Sequence, residues 1–412
     1  MGNPAWLEWP ASLDVTSLLD EGWRPEPFRE FIVKVHSRCD LSCDYCYMYE
    51  MADQTWRSRP RAMSGETAEL TARRIGEHAA AHGLPGVTLI LHGGEPLLAG
   101  RDLISRLVTS TRRWAGPDIT VNAAVQTNGV GLSDAYLNLF DELGVRVGVS
   151  VDGDAVAHDR HRRFASGRGS YQAVADALRR LRRFPHLYGG LLCTVDLDND
   201  PLRTYRALAD LGPPKIDFLL PHGTWDQPPP GRVPDPASTP YASWLIEVFD
   251  YWYPKPQTRI RLFEEIMHLL LGGASDSEVV GLAAARMVVI ETDGSVEQAD
   301  TLKVAYDGAP ATGLHVARDS LDTALLLPQL VARQIGPRAL AAGCRVCPVR
   351  AVCGGGLYSH RYRAGSGFAN PSVYCPDLLA LISHIRDQVQ ADLVARRAGK
   401  TPSTAHQRRD IS

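Results

Sequence analysis

The chain has 412 residues, 44% of them hydrophobic and 22% charged, a composition ordinary for a globular protein with one large domain plus a smaller one. A net charge of -3 gives no electrostatic ground for nucleic-acid binding, and no apolar run reaches membrane-spanning length, so neither partner is expected. Residues Met1 to Pro10 lack a basic segment followed by an apolar one, so no secretory signal is read and the cytoplasm is the expected compartment.

Residues 1–29 read as an N-terminal extension. Six short β-rich runs follow within residues 30–225: Phe31–Val35, Val87–Leu91, Ile119–Val125, Val145–Val151, Gly189–Val195 and Lys215–Leu220. Helical stretches lie between them. Ser64 can cap one that ends near Gly83, Ser133 one that ends at Gly144, and a third runs from about Ser170 to Arg183. Alternating strands and helices imply an α/β fold with a parallel sheet and right-handed crossovers. Six units predict an open, partial (β/α)6 barrel. Polar and glycine-rich residues cluster after each run, at the face where barrels place their chemistry. Residues 226–287 form a proline-rich stretch (226–239) and two bridging helices, at about Pro240–Tyr253 and Arg261–Leu271. Residues 288–385 are expected to form the smaller domain. Residues 386–412 read as a helix end and a disordered polar tail.

The eight cysteines are grouped. Cys39, Cys43 and Cys46 lie within eight residues; Cys344, Cys347, Cys353 and Cys375 lie within 32. In a reducing compartment such groups mean metal or redox chemistry more often than disulfides. Three thiolates on one loop suit a four-iron cluster with one iron left open to a chelating ligand. A zinc site completed by His36 is the simpler alternative. The four rear thiolates complete either a zinc site or an iron–sulfur cluster; spacing alone does not decide. Cys193, inside Leu191-Leu192-Cys193-Thr194-Val195, reads as a small core hydrophobe.

Cys39-x3-Cys43-x-Tyr45-Cys46 after a first strand resembles the signature of the radical S-adenosylmethionine (SAM) superfamily. The resemblance implies that Cys39, Cys43 and Cys46 hold a 4Fe-4S cluster that binds SAM. It implies that Gly93, Gly94 and Glu95, in Gly93-Gly94-Glu95-Pro96, meet the methionine amino group. Tyr45, Ser150, Asp152 and Arg162 match positions around the cofactor; Tyr45 also suits the core, and Arg162 a surface charge. The rear cysteines resemble the SPASM module of peptide-modifying radical enzymes, in truncated form. Ala299 and Leu357 stand where two ligands of its first auxiliary cluster would be, which implies one auxiliary 4Fe-4S cluster rather than two. Asp300 matches a carboxylate that serves as a base in sulfatase maturases, and equally suits an ordinary loop.

Gly354-Gly355-Gly356-Leu357-Tyr358-Ser359-His360-Arg361-Tyr362 and Phe218-Leu219-Leu220-Pro221-His222 are similar to the FxsB-type maturases. That resemblance spans about residues 25–385. It implies a ribosomally made precursor peptide as substrate, a cyclophane crosslink between an aromatic ring and a β-carbon as product, and flavodoxin or ferredoxin as electron donor. Sulfatase maturation or thioether formation on the same scaffold is the alternative within enzymes. A zinc-stabilised peptide-binding protein is the alternative of another class.

Overall fold

The computed structural model describes residues 8–275 and 277–397. After a short helix α1 (Val15–Asp20), strand and helix alternate in chain order: β1 (Glu30–His36), α2 (Gly65–Ala81), β2 (Gly86–Gly93), α3 (Arg101–Ala115), β3 (Thr120–Thr127), α4 (Asp134–Leu143), β4 (Val145–Ser150), α5 (Ala155–His161), α6 (Tyr171–Leu181), β5 (Tyr188–Thr194), α7 (Pro201–Asp210) and β6 (Lys215–Leu219). β1 to β6 are the six expected strands, and each pairs in parallel with the next. Their side chains explain the burial. Phe31, Val33 and Val35 of β1 and Val87, Leu89 and Leu91 of β2 are fully or almost fully enclosed, alternate residues that put one face of each strand in the core. Helices cover the outer face with apolar stripes; Ala68, Ala72, Ile75 and Ala79 of α2 are buried at helical spacing.

The caps largely follow the sequence. Ser64 Oγ accepts from Thr67 N at 3.0 Å at the start of α2, and Ser133 caps α4, which Gly144 closes. Ser170 precedes α6 but makes no capping bond; its hydroxyl instead donates to Arg162 O at 2.7 Å and meets His158 Nε2 at 2.9 Å.

The sheet is larger than the six-strand expectation. α8 (Pro240–Trp252) leads to β7 (Arg259–Ile260), which adds to β6, and α9 (Arg261–Leu270) follows. β8 (Met287–Ile290) then pairs in parallel with β1, and β9 (Ser295–Glu297) and β10 (Ala311–His315) extend that side antiparallel. The sheet has ten strands in the order β10-β9-β8-β1-β2-β3-β4-β5-β6-β7. Strands of the region read as a smaller domain are thus hydrogen-bonded to the barrel. Four-residue β8 carried no local signal of a partner more than 250 positions earlier. Short helices α10 (Pro328–Val331), α11 (Ala342–Arg345) and α12 (Arg350–Cys353) precede the long α13 (Cys375–Arg397). Residues 226–239 form no regular element. The polar tail beyond 397 lies outside the described residues. Among those residues no helix is long and apolar enough to cross a membrane.

Candidate active site

The carboxyl ends of the barrel strands open on a cavity of about 1400 Å³. Cys39, Cys43, Tyr45, Cys46, Gly93, Gly94, Ser150 and Arg162 all reach its wall. His92, His222, Leu357 and His360 line it too, so the C-terminal region supplies part of the enclosure.

The front cysteines sit on the loop after β1. Cys46 N donates to Cys43 O at 3.1 Å and Glu50 N to Cys46 O at 2.8 Å, which curls the loop into a turn. Cys39 Sγ accepts from Leu41 N at 3.4 Å and from Asn128 Nδ2 at 3.6 Å. Burial pushes the Cys43 thiol up to about 12, with Arg162 opposing it, and raises Cys39 and Cys46 as well. Three cysteines on one cavity wall, whose burial outweighs the support that Arg162 gives their thiolates, are a donor set suited to a cationic metal centre. His36, the proposed fourth ligand of a zinc site, instead turns Nδ1 to the backbone of Arg38, 2.9 Å from its carbonyl oxygen.

Gly93 and Gly94 are demanded by the protein itself. A Cβ on Gly93 would lie 2.1 Å from His36 O, and one on Gly94 1.8 Å from Tyr49 Oη. The absent side chains let the end of β2 dock on the cysteine loop, with Gly94 N donating to His36 O at 2.8 Å and Glu95 N to Arg38 O at 3.0 Å. Glu95 stands behind the wall, 1% exposed. Its carboxylate accepts from Leu97 N (2.9 Å), Thr127 Oγ1 (2.7 Å) and Asn128 N (2.8 Å). Burial raises its pKa to about 7 against those donors. Glu95 therefore ties the loops after β2 and β3 together and sets Asn128, whose Nδ2 reaches Asp40 Oδ1 at 2.7 Å as well as Cys39.

Asp152 is likewise buried behind the wall. Its Oδ2 accepts a short hydrogen bond from Tyr45 Oη and one of 2.7 Å from Arg162 Nε, while Oδ1 accepts from Thr194 N at 3.0 Å. The Arg162 guanidinium lies 5.5 Å from the centre of the Tyr45 ring. Tyr45, Asp152 and Arg162 thus form one unit that braces the cysteine loop, and Arg162 is far from a loose surface charge. Ser150 Oγ accepts from Gln126 Nε2 at 3.1 Å. Cys193 is fully buried in β5, as its strand pattern implied.

Asp300, 5% exposed, pairs with Lys34 Nζ at 2.7 Å. It does not reach the cavity wall; His92 does, with Nδ1 3.9 Å from Asp300 Oδ2 and no hydrogen-bond partner of its own. Burial tends to raise the Asp300 pKa, but Lys34 and its neighbours hold it below the usual value. Behind it lies a buried charge cluster in which Lys303 Nζ meets Glu297 at 3.1 Å, Asp53 at 3.2 Å and Glu291 at 3.3 Å. His222 and His360, 138 positions apart, bring their nitrogens to 3.3 Å, and Tyr47 packs edge-on against His222. Burial lowers His92 and His222 to about 4 and His360 further, so three neutral imidazoles face the cavity. Sequence reading missed His360; its partner His222 had a signal, being a polar residue directly after the sixth strand.

The rear cysteines are free thiols brought close together by α11, α12 and the start of α13. Burial chiefly raises Cys353, with Cys375 and Cys344 adding to it, and burial raises Cys375 likewise, with Cys344 and Cys347 adding. Buried Arg361 braces this loop, donating to Gly354 O (2.7 Å), Gly356 O (2.8 Å) and Gly355 O (3.2 Å). Ala299, by contrast, is buried as a plain methyl.

Residues 33–206 match the Radical SAM superfamily model, and fold and site together define a radical SAM enzyme. Its homologues are anaerobic sulfatase-maturating enzymes. The cysteine-type enzyme of Clostridium novyi is 26% identical over 271 residues, which span 64% of this chain and 71% of the relative. The serine-type enzyme of Klebsiella aerogenes is 26% identical over 350 residues, 83% of this chain and 82% of the relative. Among solved structures, anSMEcpe with bound AdoMet superimposes with a TM-score of 0.76 at 20% identity, covering 89% of this chain and 99% of that one. Streptococcus suis SuiB bound to its precursor peptide SuiA gives 0.55 at 13% identity, covering 87% and 78%. The radical SAM family uses a 4Fe-4S cluster and SAM.

Proposed function

We propose that this radical SAM maturase joins an aromatic side chain of a ribosomal peptide to the β-carbon of a nearby residue. Cys39, Cys43 and Cys46 would hold the SAM-binding cluster, and Cys344, Cys347, Cys353 and Cys375 one auxiliary cluster. When bound, the front cluster, reduced by one electron from a flavodoxin or ferredoxin, and SAM would supply a 5′-deoxyadenosyl radical for removal of a hydrogen atom from the β-carbon, and the rear cluster would take up the electron released later. Closing the carbon–carbon bond leaves one proton and one electron to remove before the ring is aromatic again. The proton is the task of this chain's own residues.

His92 is suited to receive it. It is neutral, faces the cavity, and has Asp300 behind it to stabilise the imidazolium once formed. Asp300 then acts through His92 as a positioning residue. Gly93, Gly94, Tyr45, Ser150 and Arg162 line the SAM pocket, and Glu95 and Asp152 hold that lining in place. The observation that carries the crosslinking reading over sulfatase maturation is the pair Ala299 and Leu357, aliphatic where the first auxiliary cluster would need thiolates. The sulfatase-maturating relatives favour formylglycine formation as the second reading. Coexpression with a candidate precursor peptide separates them: a crosslink and a serine-derived formylglycine both remove two hydrogens, so fragment ions that place the change, and reaction with an aldehyde probe, decide between them.

A further inference from the structure

His78 and His82 lie one turn apart at the C-terminal end of α2, and both rings face Asp322, in the 3-10 segment Leu321–Leu326. His82 Nε2 is 3.0 Å from Asp322 Oδ1, and His78 Nδ1 makes a still shorter contact with the same oxygen. The three atoms lie within 4.8 Å of one another. The second nitrogen of His78, Nε2, is 3.2 Å from the backbone carbonyl oxygen of Phe28. A carbonyl only accepts, so Nε2 carries the hydrogen. A neutral His78 then aims the Nδ1 lone pair at a carboxylate oxygen, and a cation belongs between them. The ring is held in that orientation. Its side chain is wholly buried, stacked on Phe28 with centroids 5.5 Å apart and edge-on to Phe31 at 5.8 Å.

We infer that His78 Nδ1, His82 Nε2 and Asp322 Oδ1 bind a first-row divalent transition ion, Zn²⁺ foremost, at a site separate from the cysteine clusters. Two imidazoles and one carboxylate are a ligand set that such ions favour. Tetrahedral zinc would hold the three atoms about 3.3 Å apart, within reach of a small swing of half-exposed Asp322. The Phe28 carbonyl fixes the tautomer of His78 as outer partners of metal-bound histidines do. The negative end of the α2 dipole favours a cation there. His82 is 30% exposed and Asp322 39%, so the ion can enter from solvent and keep a water ligand. The site would clip α2 of the barrel to the segment that follows β10.

The test uses cluster-reconstituted holoenzyme given one equivalent of ZnCl₂ and freed of unbound metal. The expected result is about one zinc per chain with iron unchanged, and zinc-edge X-ray absorption showing nitrogen and oxygen at about 2.0 Å without sulfur at about 2.3 Å. His82→Ala and Asp322→Asn, at partly exposed positions, should each weaken zinc binding more than about tenfold while iron content and SAM cleavage stay at wild-type levels. Zinc held through sulfur, equal zinc retention by both variants, or none retained by the wild type at micromolar zinc would overturn the assignment.

Discussion

Asp300→Asn removes one charge and almost no volume from the pair behind His92. At 2.7 Å the Lys34–Asp300 attraction is about 6 kcal/mol for an effective dielectric of 20, and unit charges at the His92 distance of 3.9 Å give about 4 kcal/mol. His92 is neutral at rest, so the second figure bears on catalysis: it is the support the carboxylate gives to an imidazolium formed there, roughly three pKa units at most. Without it, the Lys34 charge beside the proton acceptor keeps Glu291, 4.0 Å away, as its counter-charge. Crosslinking should slow by about a hundredfold or more. SAM cleavage should be unchanged, because none of the front cysteines touches Asp300. Removing one partner of a buried pair also destabilises, here by about 3 kcal/mol, at the low end because Glu291 remains 4.0 Å from Lys34. Single-turnover assays would follow 5′-deoxyadenosine and crosslinked peptide together, with urea unfolding as the check on stability. A variant that makes both products at wild-type rates would refute the His92–Asp300 account and leave Asp300 a structural residue.

Replacing Cys39, Cys43 and Cys46 together with Ala should abolish 5′-deoxyadenosine release and lower iron from about eight to about four per chain, counted after anaerobic reconstitution; twelve irons in the wild type would show that Ala299 and Leu357 do not preclude a third cluster. Gly94→Ala should lower the unfolding temperature and loosen the cysteine loop, since its methyl would meet Tyr49 Oη at 1.8 Å and Arg38 O at 2.6 Å; an unchanged melting curve would contradict this. Burial sets His92, His158 and His222 at about 4 in the folded protein, with His360 lower, against 6.5 ordinarily. The unfolded chain therefore binds more protons between these values, so this stability is full above pH 6.5 and is lost as pH falls through 4, at up to about 1.4 kcal/mol per pH unit for each histidine. Melting temperatures from pH 7.5 to pH 5 should fall with acidification; a flat profile would contradict the burial of the imidazoles.

What the sequence made legible was local. Val87–Leu91 is a compact apolar run and Cys39 to Cys46 a close spacing, and both stand where they were expected. Relations across the chain were not legible. β8 completes the sheet beside β1 only because residues 287–290 return to the barrel after the bridging helices. His222 meets His360 only through the fold. The radical SAM resemblance implied a cofactor contact for Glu95; the three hydrogen bonds that occupy it come from two separate loops. The same resemblance put the glycines before it beside the methionine amino group; that a Cβ there would also strike His36 and Tyr49 had no signal in the sequence. Asp300 read as a loop carboxylate or a base, and its burial against Lys34, over 250 residues earlier, gives it a third role.

The most direct test of the account is the mass and linkage map of the precursor peptide after coexpression with this chain. The account predicts a loss of two hydrogens per modification and fragment ions placing the new bond between an aromatic ring and a β-carbon. Formylglycine, or a linkage through sulfur, would contradict it.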